Sequence, residues 1–121
     1  RMLELVNGER AKAGLNPLAA DLKMSDVAEL KSADMVQHQY FSHQSPAYGS
    51  PFDMLDRFGI RYRTAGENIA CNRDAEAAHA ALMASQGHRE NILNPQYTRI
   101  GIGIVDGGPC GKMFTQLFAG D

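Results

Sequence analysis

The sequence predicts an α+β fold in which helices cover a small antiparallel sheet. Three observations carry this. Apolar residues recur at helical spacing through the first two thirds of the chain. The last third switches to alternation, with Ile100, Ile102 and Ile104 set between Gly101 and Gly103. A Gly/Pro turn over Asp106 to Gly111 then returns the chain as a second strand, Met113 to Phe118, antiparallel to the first. The 121 residues suit one domain covering 1–121, and no internal repeat, charge block or linker divides them.

The first helix is expected over Leu3 to Ala13, with Leu3, Val6 and Ala13 apolar, Asn7 and Arg10 beside them, and Gly14 as the stop. Leu15 to Leu18 is an extended connector, because Pro17 disfavours helix at Asn16. A longer helix should run from Asp21 to Gln39, with Met24, Ala28, Ser32 and Met35 on one face. The small residues of that stripe call for close approach by another layer. Tyr40 to His43 ends it, with Tyr40 and Phe41 expected to anchor it to the sheet. Ser50-Pro51-Phe52-Asp53 reads as N-cap, N1 proline and an acid at N3, opening a short helix that Gly59 closes. Gly66 to Cys71 is a short strand or extended stretch, and Asp74 can cap a helix buried along Ala78, Ala81, Leu82 and Ser85. Gly87 should interrupt that helix before a last turn, His88 to Leu93, which Pro95 stops. On the Ile100 strand one face buries isoleucine and the other is bare backbone, so something must lie against it.

Composition excludes several classes. A hydrophobic share of 44% with 21% charged residues is globular stock. The net charge of −2 and pI near 6.1 leave no basic surplus for phosphates, which argues against nucleic acid as a partner. No apolar stretch approaches the ~20 residues that span a bilayer. No basic-then-apolar leader opens the chain, so any export signal has been cut off or was never present. Cys71 and Cys110 belong to no CxxC pair, which removes a zinc ribbon or thioredoxin-like site. As a disulfide they would add about 4 kcal/mol. As thiols they would be small buried hydrophobes.

For chemistry, His43, Glu67 and His88 each fall at an element boundary flanked by small or turn residues, where side chains can converge on a cleft. Two imidazoles and a carboxylate would suit zinc with an open position for water. The plainer reading has each histidine serving local backbone groups and Glu67 capping a loop. His38 and His79 read as surface residues, and the six methionines as core filler. Ser42, Ser45 and Ser85 are the candidate nucleophiles, but none sits in a GxSxG elbow.

Tyr40-Phe41-Ser42-His43, Gly66-Glu67-Asn68-Ile69-Ala70 and Ser85-Gln86-Gly87-His88-Arg89-Glu90-Asn91-Ile92-Leu93 resemble motifs of the CAP superfamily. That family is named for cysteine-rich secretory proteins, antigen 5 and pathogenesis-related 1 proteins, and is also called SCP-like. The likeness is strongest to its bacterial branch. Asn7-Gly8-Glu9-Arg10 and Pro17-Leu18 match its opening signature, and Gly101-Ile102-Gly103 and Phe114-Thr115-Gln116-Leu117-Phe118 its closing strands.

The resemblance implies an α-β-α sandwich around a three-stranded antiparallel sheet, and an extracellular or cell-envelope location. It favours the Cys71–Cys110 disulfide. It also implies a cleft of two histidines and two glutamates, holding Zn²⁺ or another divalent metal in some members. His43, Glu67 and His88 match three of the four. The fourth is missing: Leu82-Met83-Ala84-Ser85 stands where a glutamate beside tryptophan would be, the chain has no tryptophan, and Glu76 and Glu90 do not match the motif. The expected function is a secreted or envelope binding module, monomeric, with a lipid or envelope component as ligand, and more a binder than an enzyme. The alternative is a zinc-dependent, peptidase-like hydrolase with His43 and His88 as ligands and Glu67 as general base.

Overall fold

The computed structural model describes all 121 residues. In chain order it has α1 (Met2–Lys12), β1 (Ala19–Ala20), α2 (Leu22–Gln37), α3 (Pro51–Arg57), β2 (Thr64–Asn72), α4 (Ala75–Ala84), α5 (Gln86–Ile92), β3 (Arg99–Asp106) and β4 (Lys112–Gly120). The sheet has the order β1-β3-β4-β2, so β2 is an edge strand. β4 pairs antiparallel with both neighbours, Glu67 facing Leu117 and Gly101 facing Leu117 from the other side. The expected three-stranded sheet gains a fourth member, because the connector after Pro17 lays Ala19 and Ala20 parallel to Arg99 and Ile100.

The layers are those of an α-β-α sandwich. Consecutive residues of β4 point to opposite faces, and nearly all are buried because both faces are covered. Phe114 and Phe118 pack with Met2 and Val6 of α1, Ala78 and Leu82 of α4, and Ile92 of α5. Leu117 and Ala119 pack with Met24, Val27 and Ala28 of α2 and with Met54 and Leu55 of α3. The bare face of β3 receives α2: a Cβ at Gly101 or Gly103 would fall inside contact distance of the Met24 or Ala28 backbone. Ser32 Oγ seals this approach, donating to the Gly103 carbonyl at 2.9 Å.

The capping signals act as read. Asp21 accepts from Met24 N, Asp74 accepts from Ala77 N, and Ser50 with Asp53 forms a reciprocal capping box. Gly14 takes the left-handed conformation just past α1. Cys71 and Cys110 are disulfide-bonded, tying the end of β2 to the β3–β4 turn.

Four expectations need correction. His79 is buried, because the inner stripe of α4 runs through Ala78, His79 and Leu82, and Ala81 faces out. Arg10 replaces Ala13 on the buried side of α1, with Met2 and Val6. The break between α4 and α5 falls at Ser85, whose backbone is extended, and Gly87 lies inside α5. Phe41 is exposed and anchors nothing to the sheet; α2 ends at Gln37, and Gln39 turns the chain with φ of 54°.

Candidate functional site

The site forms at the free edge of β2. Glu67 and Asn68, adjacent on an edge strand, project to opposite faces of the sheet. Glu67 faces the α2 layer and is buried, and its Oε1 meets Nδ1 of His43 at 2.8 Å. Asn68 faces the other layer, where its amide donates to the His88 carbonyl at 3.0 Å and to Gln116 Oε1 at 3.1 Å. Asn91 of α5 donates to Asn68 Oδ1 at 2.8 Å and to the Glu67 carbonyl at 3.3 Å. Gly66 leaves the space this requires: a Cβ there would collide with the Tyr97 hydroxyl and crowd Asn91.

Both histidines use Nδ1 on the protein. His43 gives it to Glu67, and His88 places it 2.8 Å from Ser85 Oγ. In each ring Nε2 is the nitrogen left available to solvent or a ligand. Burial holds His88 below the ordinary histidine range, and the neighbouring His43 lowers it further. Burial pushes the Glu67 carboxyl above its usual value, only partly offset by the His43 bond and the nearby Lys31 ammonium. Its Oε2 is buried without a hydrogen-bond partner. No group of three His, Cys, Asp or Glu side chains is disposed to hold a metal, and Glu67 stands behind the His43 ring.

The remaining candidates lie elsewhere. Glu76 pairs with Arg1 and Glu90 with Gln86, both on the surface, so neither supplies a second glutamate. Ser42 is exposed, and its hydroxyl only accepts from Gln44 N. Ser45 is buried as a turn staple, accepting from Ala47 N and Tyr48 N while its hydroxyl donates to Asp34 at 2.6 Å. Ser85 serves His88. His38 is exposed as expected, with Nδ1 2.9 Å from Asp34.

Sequence reasoning missed the floor beneath the His43 loop. Lys31 and Asp34 are both buried, one turn apart on the inner face of α2. Asp34 accepts from Ser45, Tyr40 and His38. Burial raises its carboxyl, but these three bonds outweigh burial and leave it below its ordinary value. Tyr40 is pushed up to about 12 by burial and by its bond to Asp34. A signal was present: position 31 continues the Met24–Ala28–Met35 stripe, so a lysine there had to be buried.

Comparison with known proteins fits this arrangement. The profile of the cysteine-rich secretory protein family, CAP, matches residues 3–118. The chain belongs to the CAP family. It is 52% identical over 121 residues to the uncharacterized Bacillus subtilis (strain 168) protein YkwD, covering 99% of this chain and 46% of YkwD. It superposes with a TM-score of 0.92 on an extracellular SCP-domain protein from Bacillus anthracis str. Ames, at 39% identity over 99% of this chain and 39% of that one. The CAP chain thus spans under half the length of these relatives. An outer surface protein of Borrelia burgdorferi shares the fold at 19% identity, with a TM-score of 0.89 and coverage of 98% of this chain and 89% of that one. No helix of the CAP chain is long and apolar enough to cross a membrane.

Proposed function

We propose that the chain is an exported CAP binding module, acting outside the cell or at its envelope, whose cleft at the β2 edge takes a divalent cation between His43 and His88. One observation carries this reading: both rings spend Nδ1 on a protein partner, the arrangement that fixes the ring and leaves Nε2 as a ligand. A cation held there would supply an electrophilic point for an anionic or carbonyl-bearing ligand. Glu67 orients His43 and Ser85 orients His88. Glu67 is a positioning group in this reading: its Oε1 is committed to the imidazole and its Oε2 is buried.

An apolar cavity of about 660 Å³ adjoins the His43 loop, walled by Met35, Val36, Phe41, Met113 and the disulfide. Its size suits a small lipid or a fragment of an envelope component, the ligand class we assign to the module.

The test is metal content and Zn²⁺ titration of tag-free protein. Stoichiometric binding is expected in the parent and should fall at least about tenfold in affinity in His43→Ala and in His88→Ala. Zinc retained unchanged in both variants would refute the ligand assignment. Turnover of casein or peptidoglycan fragments that vanishes in Glu67→Gln would replace the binding reading with a hydrolytic one.

A further inference from the structure

Lys31 plays no part in that ligand set, yet it is among the most enclosed polar side chains of the molecule, with 1% of its surface exposed. Its Nζ donates to the backbone carbonyl of His43 at 3.0 Å and lies 5.1 Å from the centroid of the Tyr40 ring. Glu67 and Asp34 are the carboxylates whose charge it feels. Lysine is rarely buried this completely without a partner that repays its desolvation. Both oxygens of Asp34 are already engaged, by Ser45, Tyr40 and His38. Glu67 has Oε1 on the His43 ring and a second, buried oxygen without a partner. The ammonium therefore touches His43 through its backbone, and its charge reaches the carboxylate that holds the same residue by its ring.

We propose that Lys31 is a positioning residue for His43, clamping its carbonyl from inside the fold while Glu67 clamps its Nδ1, so that Nε2 is presented in one fixed direction. The loop after α2 contains no regular structure around His43, so the ring would otherwise be free to rotate away from the β2 edge. A neutral donor could hold the carbonyl. A cation holds it more strongly, and its charge also favours the ionised Glu67 that bonds the ring.

This deepens the binding reading and rests on His43 being a ligand, but it can be tested without metal. At about pH 8, where an ordinary imidazole is neutral, side-chain ¹⁵N spectra report the His43 tautomer directly. The parent should show Nδ1 protonated and Nε2 bare. In Lys31→Met the two nitrogens should move toward averaged shifts while His88 and the amides of Ala47 and Tyr48 stay in place, and Zn²⁺ affinity should fall about tenfold. A folded Lys31→Met protein with unchanged His43 nitrogens overturns the proposal. Should that variant not fold, the parent decides: the Lys31 ammonium protons should exchange slowly and show contacts to the Tyr40 ring, and rapid exchange without them is equally fatal. Failure of the parent to bind Zn²⁺ with the His43 tautomer still dependent on Lys31 would defeat the metal reading and leave the clamp standing.

Discussion

Arg10 and Lys31 are the two cations sealed inside this molecule, each 1% exposed, on opposite sides of the same sheet. Every guanidinium nitrogen of Arg10 is on a backbone carbonyl. Its guanidinium donates to Asn16, Ile92, Asn94 and Tyr97 at 2.8, 2.9, 2.9 and 3.3 Å. No carboxylate pairs with it, and its task is to fasten α1 to the loop that leads into β3. Lys31 makes one hydrogen bond, and it lies near a carboxylate that keeps an unpartnered oxygen. The difference separates scaffold from site. Where a buried charge has main-chain carbonyls on every nitrogen, its removal should cost stability alone; where it makes a single bond, to the histidine of the site, its removal should be felt in binding.

The largest expected effect lies on the Arg10 side. Arg10→Ala strands four carbonyls and opens a cavity, and should destabilise by on the order of 5 kcal/mol in a urea melt. A loss under about 1 kcal/mol would erase the contrast. On the Lys31 side the covalent staple comes next. Replacing Cys71 and Cys110 together by alanine releases a loop with a sequence separation of 39. That should cost about 4 kcal/mol, and reductant should affect the parent and leave the variant unmoved. Ser85→Ala sharpens the comparison from the other direction. It should shift stability by less than about 1 kcal/mol while weakening Zn²⁺ binding about tenfold, because only the His88 ring loses a partner.

The smallest effect is a pH dependence on the scaffold side. Burial holds the His79 imidazole below its ordinary value, with Glu9 opposing and Lys12 and Arg1 reinforcing, and its Nδ1 has no hydrogen-bond partner. A lowered folded pKa means that the unfolded chain binds the proton more readily. Stability should therefore be unaffected above the ordinary histidine value and decline as pH falls below it. His79→Gln should flatten that acid limb in melts recorded across the range; an unchanged limb would assign it to other groups.

Much of the fold was legible because local signals and packing agree. Asp21, Ser50 and Asp74 cap where capping chemistry requires, and the Gly101/Gly103 face predicted a close neighbour that α2 supplies. The fourth strand was not legible, since two alanines after Pro17 carry no alternation. His79 and Arg10 were misplaced for a shared reason: polar residues on a buried stripe break the apolar period that marks it. At the site, the convergence of His43 with Glu67 was foreseen, but their means of support was not. Lys31 and Asp34 act through a loop without periodicity, and a loop's path is set by tertiary contacts that no spacing encodes.

The seating of α2 on two glycines has a consequence for the cleft. With helix backbone resting directly on strand backbone, no layer of side chains remains between them to be compressed or sheared. Lys31 and Asp34 are thereby indexed to the sheet as rigidly as residues of the sheet itself, and so is whatever they hold. Ligand entry should leave this half of the cleft where it stands, with adjustment confined to side chains beyond the His43 loop.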